Sequence, residues 1–143
     1  MNRGLLLLVV AATSVSAQTV PSTCANALYL GLNNLTFEAC QIKYSTAVAS
    51  FNTNCANFMG SPGYNGEVCD PIVFDYMKCV LKTSGLLKAD GSFDDAAFKK
   101  TNLQNKCSSD AKFSTVYQPC RDSTMKYLNL PRFIICLMKK LEL

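Results

Sequence analysis

The sequence predicts an all-α, disulfide-linked domain, and three observations carry that prediction. Apolar residues recur at helical spacing between residues that start and stop helices, and no stretch sustains the period-two alternation of a half-buried strand. Eight cysteines (Cys24, Cys40, Cys55, Cys69, Cys79, Cys107, Cys120 and Cys136) form an even set, and the start of the chain reads as an export signal. Asn2-Arg3 precede the apolar run Leu5 to Ala12, and Val15-Ser16-Ala17 offers the small residues a signal peptidase reads. Residues 1–17 are therefore expected to be a signal peptide and residues 18–143 one secreted, extracellular domain. The apolar run is too short to span a bilayer. In an oxidising compartment the eight cysteines are expected to form four disulfides.

The elements follow in order. Pro21-Ser22-Thr23 starts a helix whose apolar body is Ala27, Leu28, Leu30 and Leu32. A second helix is expected from about Thr36 to Phe58, burying Phe37, Ile42, Tyr44, Val48 and Phe51. Between the two, Asn34-Leu35-Thr36 is an N-glycosylation sequon, with Asn34 as acceptor. Met59 to Gly66 is dense in helix breakers and reads as a loop. Asp70 is a good N-cap and Pro71 a good first helical residue for the next helix. On that helix Asp75, Lys78 and Lys82 make one polar stripe and the remaining faces are apolar.

Gly85 supplies a stop, and Ala89-Asp90-Gly91-Ser92 a tight turn. Asp94 can cap a helix through Leu103, and Ser109 or Asp110 a further one carrying Phe113, Val116 and Tyr117. Pro119 is expected to end that segment. Cys120 to Leu128 then forms another helix, and Pro131 opens the last, with Phe133, Ile134, Ile135, Leu137, Met138 and Leu141.

Composition narrows function more than any motif. The chain has no histidine, which removes Ser-His-Asp and Cys-His catalysis, histidine-based zinc sites and an imidazole pH switch. Secreted phospholipases A2 share the small, cystine-rich, helical character but need a catalytic histidine. No cysteines are spaced as paired metal ligands, and no nucleophile has a visible base, so no catalytic residue, no metal and no cofactor is expected. The formal net charge of +4 is spread along the chain without a Lys/Arg block, so nucleic acid is not an expected partner. Plant lipid-transfer proteins also carry eight cysteines, but in a pattern with an adjacent pair and a C-x-C that are absent here.

Asp94-Asp95 is the sole acidic pair. Helix capping accounts for it better than a metal or acid–base site does, because helix N-termini favour carboxylates. Lys139-Lys140 similarly complements the last helix end; a docked terminal helix is the expected reading, with a membrane-surface helix as the alternative.

The segment Tyr76-Met77-Lys78-Cys79-Val80-Leu81-Lys82-Thr83-Ser84-Gly85-Leu86-Leu87-Lys88-Ala89-Asp90-Gly91-Ser92-Phe93-Asp94 resembles the middle of insect odorant-binding proteins. In that family a cysteine-bearing helix is followed by a G-L-L turn and a D-G step into the next helix. Pro119-Cys120 and Phe133-Ile134-Ile135-Cys136-Leu137 resemble the approaches to its last two cysteines. The chain departs from the family pattern at Asp75, where a cysteine is usual, and in the longer spacing between Cys120 and Cys136. The resemblance covers roughly Asp70 to Leu137.

It implies a compact bundle of about six short helices around an apolar cavity, carrying small hydrophobic ligands such as odorants, pheromones or lipids. It leaves open a membrane receptor as a further partner. It also implies the pair Cys107–Cys136 and an N-terminal partner for Cys79, Cys40 ahead of Cys24. Beyond what the resemblance implies, Cys69 would then stand opposite Cys120 in place of the cysteine missing at Asp75, which leaves Cys24 with Cys55. The candidate cavity-lining residues are Phe74, Tyr76, Met77, Val80, Leu81, Phe98, Phe113, Val116, Tyr117, Met125, Leu128, Phe133, Ile134 and Met138. For any single one of them an ordinary core position is the favoured reading, since core and cavity wall want the same side chains. Met77, Met125 and Met138 suit adaptable surfaces best. The hydroxyls of Tyr76 and Tyr117 would meet either a polar ligand end or a backbone carbonyl. The alternative function is a secreted salivary, venom or reproductive interaction protein that binds a macromolecule through an exposed apolar patch.

Overall fold

Ser22 opens the first helix by accepting a hydrogen bond from the Ala25 N–H at 3.1 Å, one of the donors a helix start leaves unpaired. The computed structural model describes residues 22–55 and 59–143; the expected signal segment, Pro21 and the end of the second expected helix lie outside them. Among the described residues no strand forms, and Leu87 and Phe93 make a single isolated bridge.

Helix α1 (Thr23–Leu30) is followed by a turn in which Asn34 is exposed, then by α2 (Glu38–Lys43) and α3 (Ser45–Asn54). The single helix expected over this region breaks at Tyr44, whose φ of -111° and ψ of 27° lie off the helical well. Ile42 was expected to be buried but is 76 % exposed, and Leu30 is also exposed. The break turns α2 so that Cys40 faces inward.

After the loop, α4 (Gly66–Cys69) runs through a 3₁₀ turn (Asp70–Val73) into α5 (Phe74–Thr83). The helix therefore starts before the expected cap. Asp70 makes no capping hydrogen bond, because its carboxylate is taken by tertiary partners described below. The end of α5 matches expectation. Gly85 adopts φ +70°, Leu86 N–H donates to Leu81 C=O at 2.8 Å and Gly85 N–H to Lys82 C=O at 3.1 Å, the paired bonds of a Schellman stop. Gly91, at φ +82°, closes the expected turn.

Asp94 caps the short helix α6 (Asp95–Ala97), accepting from Ala97 N–H at 3.0 Å, and the chain continues as a π turn (Phe98–Asn102). Asp110 caps α7 (Ala111–Thr124), accepting from Phe113 N–H at 2.9 Å. Pro119 lies inside α7 rather than ending it, which merges two expected segments. Pro119 and Thr115, whose carbonyl loses its N–H partner, are both exposed, and the Cys120–Cys136 disulfide pins the following turn. A 3₁₀ turn (Met125–Tyr127) and left-handed Leu128 reverse the chain, and Asn129 caps α8 (Leu130–Lys140) by accepting from Arg132 N–H. Pro131 sits in the first turn of α8 as expected, and Lys139 and Lys140 occupy its last.

All eight cysteines pair: Cys24–Cys107, Cys40–Cys79, Cys55–Cys69 and Cys120–Cys136. Only Cys40–Cys79 agrees with the pairing implied by the resemblance. The rearrangement follows the fold, since α7 packs along α8 and brings Cys120 to Cys136. That leaves Cys107, at the end of the loop after the π turn, beside Cys24 on α1. Four disulfides are the mark of an oxidising compartment. No helix among the described residues is long and apolar enough to cross a membrane.

The core lies where α1, α5, α7 and α8 converge. Phe98 and Phe133 are fully buried with ring centroids 5.7 Å apart, Phe93 stands 6.1 Å and Tyr117 5.2 Å from Phe133, and Phe113 is 5.3 Å from Tyr117. These spacings are those of tilted and edge-to-face aromatic packing.

Candidate ligand cleft between the π turn and α7

On the flank of this aromatic cluster the π turn and α7 splay apart. The half-open cleft between them measures about 390 Å³ and is lined by Lys99, Leu103, Asn105, Cys107, Ser108, Phe113, Ser114, Tyr117 and Gln118. Leu103, Cys107, Phe113 and Tyr117 are buried and give it an apolar floor. The remaining residues form a polar rim. Its volume falls in the lower part of the range usual for small-molecule sites, and an apolar floor with a few polar rim groups is their usual chemistry.

The backbone around the cleft departs from regular helix. The π turn supplies Lys99, and beyond it Gln104 and the rim residue Asn105 both take left-handed conformations at φ 51° and 56°. π turns and left-handed residues concentrate at functional sites. The wall is pinned from behind: Cys107 is bonded to Cys24, and the buried Asn102 amide donates to the Gly31 carbonyl at 2.9 Å, joining the end of α1 to the π turn.

Tyr117 links floor and support. Its hydroxyl donates to Asp95 Oδ1 at 2.8 Å, and Arg121 Nε donates to the same oxygen at 2.8 Å. The hydroxyl was expected to meet a ligand or a backbone carbonyl; it serves a carboxylate instead. Burial, reinforced by Asp95, holds the Tyr117 phenol well above its ordinary value. Burial pushes the Asp95 carboxyl up, but the hydrogen bonds from Arg121 and Tyr117 outweigh it and the net shift is downward.

A carboxyl whose folded-state pKa is depressed contributes fully above its unfolded value, near 3.8, and that contribution fades as pH falls through the folded value. Asp95→Asn is therefore expected to lose about 1 kcal/mol at pH 7, allowing for partial solvent screening. The gap to the parent protein should narrow on acidification below about pH 4. Urea denaturation at the two pH values checks this.

The candidate residues distribute as follows. Phe113 and Tyr117 line the cleft. Phe74, Met125 and Leu128 line a smaller hollow of about 270 Å³ on another face, together with Lys78 and Arg121. Tyr76, Met77, Val80, Leu81, Phe98, Phe133 and Ile134 are buried in the core, and Val116 and Met138 are half-buried against it. Burial also raises the Tyr76 phenol. A hollow of about 430 Å³ beside Lys78, Lys82, Lys88, Asp90 and Gly91 has Leu87 as its one large apolar residue and lacks a comparable floor.

The second buried polar centre is Asp70, 1 % exposed, which accepts from Tyr64 Oη and Asn129 Nδ2, each at 2.7 Å, and pairs with the Arg132 guanidinium. Burial, with Asp70 alongside, raises the Tyr64 phenol strongly. Asp70, Asn129 and Arg132 are satisfied by one another, which marks the cluster as a structural tie between the α4–α5 junction and α8. Among the described residues no group of three or more cysteine or carboxylate side chains is placed to hold a metal.

No protein-family model matches the chain, and comparison with curated proteins and with solved structures finds no match either.

Proposed function

We propose that the protein is a secreted carrier that binds small hydrophobic molecules in the cleft between the π turn and α7 and moves them through an extracellular fluid. The carrying observation is the apolar floor of Leu103, Cys107, Phe113 and Tyr117 beneath a polar rim in a cleft of about 390 Å³. Four disulfides, the export-like start of the sequence and the resemblance around Cys79 to odorant-binding proteins support the same reading. The binding step needs no bond chemistry: a shaped apolar surface removes ligand area from water at about 25 cal/mol per Å², and such recognition is broadly selective.

A second reading, a surface that binds a macromolecule, draws on the exposed side chains of Tyr29 and Leu30 on α1 and Ile42 on α2. Titrating the oxidised protein with a fluorescent apolar probe such as N-phenyl-1-naphthylamine separates the two. Saturable one-site binding at micromolar level, displaced by fatty acids or volatile alcohols and lost on reduction, is expected of the carrier. No binding by a folded sample favours the surface reading.

A further inference from the structure

We propose that the cleft selects amphiphiles with an anionic, carboxylate head, which pairs with Lys99 while the chain lies on Leu103, Phe113 and Tyr117; this rests on the carrier reading above. The Lys99 ammonium stands 4.0 Å from the centroid of the Tyr117 ring, at the edge of the apolar floor. Among the described residues it has no carboxylate within salt-bridge distance. The acidic groups nearest in sequence are already engaged. Asp95 accepts from Tyr117 and Arg121, while Asp94 and Asp110 cap helices.

The rim's other polar groups are mostly committed as well. Ser108 Oγ donates to the Asn105 carbonyl at 2.6 Å, Ser114 Oγ to the Asp110 carbonyl at 3.3 Å, and Gln118 Nε2 to Asp122 at 2.7 Å. Donor capacity toward a ligand remains in the Lys99 ammonium, the Asn105 amide and the second N–H of Gln118. The backbones of Lys99 and Asn105 are joined at one end of the cleft, where Asn105 N–H donates to the Lys99 carbonyl at 2.8 Å. Lys100 and Lys106, exposed on the same segment, add positive charge and form no salt bridge among the described residues. A cation at the edge of an apolar floor, near enough to Asp95 to help hold its carboxyl down but in no salt bridge, favours an anion-headed chain over a neutral one, since a charge-assisted hydrogen bond is roughly twice as strong as a neutral one.

Displacement of a bound fluorescent probe by dodecanoate, dodecanol and dodecylamine at low salt tests the proposal, in the parent protein and in Lys99→Gln and Lys99→Arg. Dodecanoate is expected to compete about tenfold more strongly than dodecanol, with the amine weakest. Lys99→Gln should erase the acid's advantage over dodecanol, Lys99→Arg should keep it, and raised salt should narrow it. Equal competition by acid and alcohol, or an advantage that survives Lys99→Gln, overturns the carboxylate preference and leaves the carrier reading standing. If none of the three competes, the carrier reading itself fails.

Discussion

Replacing Cys24 and Cys107 together by serine is expected to lower stability by about 4–5 kcal/mol, the largest loss from removing any one disulfide. The bond spans a sequence separation of 83 residues, against 14 for Cys55–Cys69, 16 for Cys120–Cys136 and 39 for Cys40–Cys79. Chain-entropy reasoning makes the longest loop the most stabilising to close and puts removal of the shortest near 3 kcal/mol. Geometry adds to entropy here, since Cys107 is both a partner of α1 and part of the cleft floor. Without the bond, the Asn102–Gly31 hydrogen bond is left to hold the end of α1 against the π turn. Probe binding should therefore be lost at a lower urea concentration than far-UV helicity. Urea titrations of this variant and of the Cys55→Ser/Cys69→Ser pair check it. Equal costs would show that the Cys24–Cys107 tie adds nothing beyond a local staple.

The second large effect is expected at Arg132. Arg132→Leu leaves the Asp70 carboxylate buried with two neutral donors, Tyr64 and Asn129, and should cost about 3 kcal/mol, the low end for breaking a buried pair because the arginine is itself partly exposed. Adding Asp70→Asn should restore much of the loss, since the double variant buries no uncompensated charge, and the two changes should be strongly non-additive in a double-mutant cycle. Gly66 belongs to the same contact. A Cβ there would lie 2.5 Å from the guanidinium carbon of Arg132, so Gly66→Ala must push the arginine away and should destabilise in the same direction by less. Thermal or urea unfolding of the parent and the four variants (Arg132→Leu, Asp70→Asn, their combination and Gly66→Ala) reads all of these terms.

What could be read from the sequence was local. The helix start at Ser22-Thr23, the Gly85 stop, the turn at Asp90-Gly91, the cap at Asp94 and, of the two candidates Ser109 and Asp110, the cap at Asp110 are each set within a few residues, and each formed. Asp70 carried the same kind of local signal, yet its carboxylate went to Arg132, 62 residues on, and a long-range charge outweighed a cap. Pro119 misled for a related reason. A helix pinned by a disulfide and solvated on that side tolerates a missing N–H that an isolated helix would not. Disulfide partners depend on which helices meet, and only Cys40 and Cys79, on helices that pack together, agreed with expectation.

The cleft was half legible. Phe113 and Tyr117 stood among the apolar candidates, but apolarity alone does not separate floor from core, and most of those candidates pack against one another. The rim residues Lys99, Asn105, Ser108, Ser114 and Gln118 carry no motif. Their grouping depends on the π turn and the left-handed pair Gln104-Asn105, neither of which has a reliable sequence signal.

The central claim is that ligand binds on the Leu103–Phe113–Tyr117 floor, and two-dimensional amide NMR of the oxidised, isotope-labelled protein titrated with dodecanol tests it most directly. The account predicts shift changes concentrated at Lys99–Leu103, Asn105–Ser108 and Phe113–Gln118, with the amides of Val80, Leu81 and Ile134 little moved. Changes centred instead on those core amides, or on Tyr29, Leu30 and Ile42, or no changes at saturating ligand, would contradict it.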